Sequence, residues 1–144
     1  MADKFQVWWV FALLSAFFAA LTTIFGKIGV KDINSDLATA IRTIVILIVA
    51  WGIVVGRGQL GGLTTISRYT LIFLVLSGIA TGLSWLFYYR ALQLGEASLV
   101  APIDKSSLVL ILILSVVFLR EPLTWKSALA AILVTAGTLV SIWK

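Results

Sequence analysis

Residues 5–26, FQVWWVFALLSAFFAALTTIFG, run without a single charged side chain. At about 1.5 Å of rise per residue, roughly 20 such residues cross a hydrocarbon core of about 30 Å. The stretch outlasts the apolar region of a signal peptide and lacks a convincing small-residue cleavage site, so it is expected to remain as a first transmembrane span. Four further stretches share its character: 37–56, 69–89, 97–119 and 123–143. The second has to include Arg42, because the apolar run after that arginine is too short to cross alone. Arg42 therefore falls one to two turns inside its helix. The fourth carries Asp104 and Lys105 about two turns inside, with Pro102 near its start. Lys126 lies in the first turn of the fifth, where its long side chain can snorkel to the boundary. The longest connection, Arg57 to Arg68, contains Gly58, Gly61 and Gly62 and leaves no room for an extramembrane domain.

Composition gives the same reading. Hydrophobic residues make up 61% of the 144 positions and charged residues 12%, and the mean hydropathy is +1.12. A soluble domain this small cannot cover its surface with so few polar groups, so lipid is the expected solvent. The formal charge of +5 comes from lysines and arginines scattered singly between apolar runs. Nucleic-acid binding needs a basic face or stripe, and none is present. With no cysteine and no histidine, disulfides, thiol chemistry, the usual zinc sites and imidazole catalysis are excluded. No nucleophile and base pair or metal-ligand spacing stands in the sequence, so neither an enzyme nor a bound cofactor or metal is expected.

Aromatic residues fall near the expected helix ends: Trp8, Trp9, Trp51, Tyr69, Tyr88, Tyr89, Trp125 and Trp143. Small residues recur four apart as Ser15, Ala19 and Thr23, as Gly52 and Gly56, as Gly78 and Gly82, and as Ser127, Ala131 and Thr135. Such stripes let helix backbones approach closely, within one chain or between subunits.

Five spans place the termini on opposite sides. Lys4, Arg57, Arg68, Arg120 and Lys126 then share one side, and Lys27, Lys31, Arg90 and Lys144 the other. The excess of lysine and arginine that orients a multispan protein is nearly absent. Two orientations, and an antiparallel pair of copies, follow as the expectation; the competing reading is insertion one way, with the N-terminus inside. Two inverted copies give ten helices related by an axis in the membrane plane, the architecture of many transporters.

From the third span onward a set of residues resembles an EamA domain of the drug/metabolite transporter superfamily. They are Gly82 followed by Tyr88-Tyr89-Arg90-Ala91-Leu92, Ala97 to Pro102, Leu119-Arg120-Glu121-Pro122-Leu123, and Gly137. Arg42 stands in a position resembling the family's second-helix arginine. The resemblance implies one half of the usual ten-helix transporter, whose relatives move small metabolites, amino acids or drugs; a second copy would supply the other half. The family's frequent proline in the middle of the fourth helix is replaced around Ser106 to Leu110, and a usual glycine is absent near Ser127 to Leu129. The small multidrug exporters of the superfamily depend on a first-helix glutamate, and no acid lies between Phe5 and Gly26. Quaternary-ammonium export of that kind is disfavoured.

The expected fold is thus an all-α integral membrane protein, a single EamA-like domain over 1–144 forming a five-helix bundle that dimerises to a ten-helix inverted-repeat assembly. The expected function is secondary transport or export of small polar or amphipathic metabolites by alternating access; the alternative is a noncatalytic subunit of a hetero-oligomeric transporter or lipid-linked-substrate flippase. Expected partners are a small-molecule substrate, the lipid bilayer and a second copy, in a bacterial cytoplasmic membrane.

Asp104 and Lys105 are the strongest candidates for handling substrate or ions, because a charge deep in a span costs roughly 2.5–3.5 kcal/mol on insertion scales unless sheltered. Pairing of Asp104 with Lys105 or Arg42 is the structural alternative. Arg42 can snorkel, pair, or bind an anionic group. Trp85 and Tyr89 share a helix face at four-residue spacing and can wall a cavity, or the tyrosine can anchor the boundary. Ser106 and Ser107 can bind a ligand or satisfy their own helix, and Glu96 and Glu121 suit helix N-termini. Arg42 and Lys105 against Asp104 leave one net positive charge inside the membrane, which favours anionic or zwitterionic cargo.

Overall fold

The computed structural model describes residues 7–143; Lys4, Phe5 and Lys144, which enter the span and charge readings, lie outside the described residues. Among the described residues every regular element is helical: α1 (Trp8–Gly29), α2 (Ser35–Gly56), α3 (Arg68–Leu94), α4 (Ala97–Lys105), α5 (Ser107–Leu114) and α6 (Trp125–Ile142), with a 3₁₀ segment at Gln59–Thr65 and a π turn at Ser115–Leu119. Taken as Ala97–Leu119, the α4, α5 and π-turn segments make one span, and the described residues hold five helices long and apolar enough to cross a membrane. Large apolar side chains stand exposed along them, Phe17 at 58%, Ile48 at 66% and Phe118 at 76%. Water would penalise such a surface heavily, and lipid does not.

Local chemistry sets the ends. The Asn34 side chain accepts from the Asp36 backbone N–H at 2.7 Å, which starts α2 earlier than the hydropathy suggests. Asp36 in that first turn faces the positive end of the helix dipole. Thr124 caps α6 by accepting from the Ser127 N–H at 3.2 Å. The connection after α2 is a 3₁₀ segment introduced by Gly58 in the left-handed region at φ 65°, a conformation that suits glycine.

The described residues divide into two compact units, residues 25–93 and residues 7–24 with 94–143. In the first, α3 continues past Tyr89 to Leu94 because its last turn carries a polar clasp. Gln93 donates to the carbonyls of Val30 at 3.1 Å and Ile33 at 2.7 Å, and Arg90 donates to the Gln93 side-chain oxygen at 2.8 Å. Lys27 donates to the Leu92 carbonyl, so its charge does not end α1 at Gly26. Val30, Tyr89 and Leu92 are the most deeply buried side chains.

In the second unit α4 and α5 both pack on α6. The fourth span breaks at Ser106, although no proline stands at positions 106–110. There the Ser106 N–H bonds Ile103 O at 3.0 Å in place of the carbonyl four residues back. The Ser106 hydroxyl bonds the same oxygen at 2.7 Å. The Pro102 carbonyl, left without its helical donor, lies 3.0 Å from the Thr138 hydroxyl of α6, which shares its single hydrogen between Pro102 O and Val134 O at 2.9 Å. Thr138 is buried, so Thr138→Val is expected to cost about 1 kcal/mol through the unmatched carbonyl. Thermal unfolding in detergent should show a lower midpoint; an unchanged one would mean that the break needs no support from α6.

Candidate functional site

Two groups of expected residues can be described, one in each unit. In residues 25–93, Arg42 lies two turns into α2 and its guanidinium carbon is 4.3 Å from the Tyr89 ring centroid and 5.0 Å from that of Trp85. The four-residue spacing of Trp85 and Tyr89 on α3 puts both rings on the face that Arg42 meets. A cation over aromatic faces in a desolvated setting gains about 2 kcal/mol. The rings accept only through their π faces, however, and the Arg42 Nη1 atom is buried with no hydrogen-bond partner among the described residues. The Tyr89 hydroxyl is in the same condition.

Tyr89 is 1% exposed, so boundary anchoring, one of its two sequence readings, gives way to a place inside the unit. The room comes from Gly26 on α1. A Cβ there would lie 2.6 Å from Tyr89 Cε1 and 2.8 Å from its hydroxyl oxygen. Gly26 was not among the expected site residues; nothing in sequence spacing reveals an approach between α1 and α3. Tyr88 packs edge-on against Tyr89 at 5.9 Å.

In the second unit Asp104 and Lys105 end α4 immediately before the break. Their side chains form an ion pair at 3.4 Å, with exposures of 36% for Asp104 and 60% for Lys105. Ser106 satisfies its own helix through Ile103 O, and Ser107 opens α5. Lys105 also lines a cleft of about 620 Å³ between α1 and α4, walled by small residues including Ser15, Ala19, Thr23, Ser98 and Ala101. The Ser15, Ala19 and Thr23 stripe therefore borders open space here. A Cβ placed at Gly52, Gly56, Gly78 or Gly82 likewise meets nothing within 4 Å, so these stripes hold no close contact among the described residues. No group of three metal-ligating residues occurs among the described residues.

The arrangement offers hydrogen-bond donors, one ion pair and a cleft, all carried on apolar helices, which suits binding and passage of a polar solute. The chain is 52% identical over 135 residues, 94% of its length and 96% of the other's, to an uncharacterized transporter in the cobO 3' region of Sinorhizobium sp. No solved structure matches it. Residues 6–143 match the EamA-like transporter family, and the chain belongs to that family.

Proposed function

We propose that this membrane transporter is a secondary transporter or exporter of small polar or amphipathic metabolites. It works as an antiparallel homodimer by alternating access, in a bacterial cytoplasmic membrane. The carrying observation is the local irregularity at Ser106 directly behind the Asp104–Lys105 pair, where the backbone stays right-handed helical at φ −62° and ψ −17° but bonds three residues back instead of four. Irregular hydrogen bonding and charged groups at membrane depth persist only beside protein or water, which is where a transporter helix meets solute. Asp104 is the deep carboxylate available for proton coupling, and Arg42 with Trp85 and Tyr89 forms a second contact point for solute. The near-even charge balance and the open glycine stripes at Gly52, Gly56, Gly78 and Gly82 support two inverted copies meeting through closely approaching backbones.

The test is reconstitution of the purified chain as the sole protein in proteoliposomes, with flux of a panel of amino acids and organic acids as the readout and reporters on both termini. Flux, together with each terminus found on both sides, is the expected result. Flux that needs a different partner chain, or a single orientation, overturns the homodimeric antiparallel reading.

A further inference from the structure

The Arg42 and Tyr89 atoms that lack partners point to the chemistry of the solute. Both belong to residues 25–93, where no carboxylate lies within ion-pair distance of Arg42 among the described residues. Arg42 Nη1 and Tyr89 Oη are buried and unmatched, and Tyr89 is almost completely enclosed. Native interiors rarely leave such atoms without partners, so a bound water, ion or solute group is called for at these two. Stacking on Trp85 and Tyr89 fixes the guanidinium plane but supplies no in-plane acceptor. From the start of α2 at Ser35, Arg42 is seven residues along, about 10 Å at 1.5 Å per residue. Tyr89 is five residues, about 8 Å, from the end of α3 at Leu94. The clasp of Gln93 on Val30 and Ile33 ties the end of α3 to the connection before α2, so Arg42 and Tyr89 both lie one to two turns inward of these polar ends.

We infer that Arg42 and Tyr89 together recognise a carboxylate on the transported solute, with Arg42 Nη1 and the Tyr89 hydroxyl each donating a hydrogen bond to it. This rests on the transporter reading above and narrows its substrate class to organic monoanions and zwitterions. Two donors and a single positive charge match one carboxylate. A phosphate dianion would leave an uncompensated negative charge in a medium of low dielectric, which is strongly disfavoured. A neutral amide of the same shape would accept bonds that lack charge assistance and are about half as strong. Gly26 is part of the device, because only a residue without Cβ lets the phenol reach this level beside α1. The two atoms are covered in this conformation, so solute meets them when the pathway opens, and Trp85 and Tyr89 then stack on its apolar part.

The experiment uses the purified full chain in detergent and in vesicles of phosphatidylcholine alone or with anionic phospholipid. The probes are acetate, lactate, phenylacetate, glutamate and succinate, each paired with its amide, and the readout is thermal stabilisation and quenching of tryptophan fluorescence. At least one carboxylate should bind saturably, with its amide at least tenfold weaker. Arg42→Gln should weaken the carboxylate at least tenfold and abolish the discrimination, whereas Arg42→Lys should retain part of it. Tyr89→Phe removes only the hydroxyl and keeps the packing, so it remains informative if Arg42→Gln fails to fold; a three- to tenfold loss is expected. Absence of binding by every carboxylate, equal binding of acid and amide, or undiminished binding in Tyr89→Phe overturns the inference. Stabilisation by anionic phospholipid alone would assign the pair to a lipid phosphate instead. Carboxylate binding without flux would sink the transporter reading and leave the site standing; flux indifferent to Arg42→Gln would do the reverse.

Discussion

Asp104→Asn and Lys105→Gln are each expected to lower the yield of folded, membrane-inserted protein, while the double variant recovers insertion and none of the three transports. The size of the effect depends on where the pair resides. In water, an ion pair as exposed as this one is worth about 0–1 kcal/mol, and removing either partner would matter little. While an apolar span inserts, before a passage has assembled around it, removing one partner leaves the other as a lone charge at a cost of roughly 2.5–3.5 kcal/mol. Removing both eliminates the charge altogether, as with buried pairs replaced by uncharged residues. The 3.4 Å separation makes the two residues a coupled unit, so the double variant should not show the sum of the single effects. Monodisperse yield and proteoliposome flux separate the two roles. Additive losses of yield would mean that the pair faces water at the membrane surface. Normal flux in the double variant would mean that it serves insertion alone.

The second large effect is expected at Gly26. Gly26→Ala places a methyl group 2.6 Å from Tyr89 Cε1, inside any real contact distance. The tyrosine ring is closely held, being 1% exposed and covered by Arg42 on one face. Overpacking at such a point costs about 1–3 kcal/mol, and Gly26→Val should cost more. Gly29→Ala, one turn further along α1, is the internal control. A Cβ there meets nothing within 4 Å, and the change is expected to be neutral or to stabilise the helix by up to about 1 kcal/mol. Thermal unfolding of Gly26→Ala in the wild-type and Tyr89→Leu backgrounds gives the coupling. The penalty should largely disappear when the ring is gone; a penalty that persists would locate the problem in the α1 backbone and not in the contact with Tyr89.

The five spans were legible because lipid imposes a length of roughly 20 apolar residues, and hydropathy records that requirement directly. Their ends were less legible where polar side chains extend a helix. Arg90 and Lys27 read as boundaries, yet both lie inside helices because Arg90 supports Gln93 and Lys27 serves the Leu92 carbonyl. Asn34 as a cap was readable in principle, since an asparagine before an apolar run is a start signal. The break at Ser106 was not, because its cause is a competition among carbonyls resolved partly by Thr138, 36 residues away. Trp85 and Tyr89 could be placed on one face from spacing alone. That Arg42 would lie over them, and that Gly26 would make room, depends on the register between helices, which periodicity within a helix does not encode.

The claim on which the rest depends is that the charged end of α4 borders a water-filled passage and not lipid. The chain has no cysteine, so Ala101→Cys, which lines the cleft with Lys105, provides a single reactive thiol. In sealed proteoliposomes a membrane-impermeant thiol reagent is expected to modify this cysteine essentially to completion from the outside alone, at a rate changed by a transported solute. A thiol facing hydrocarbon cannot form the thiolate that reacts. Failure to modify it from outside, with or without solute, would place this segment against lipid and contradict passage along α4.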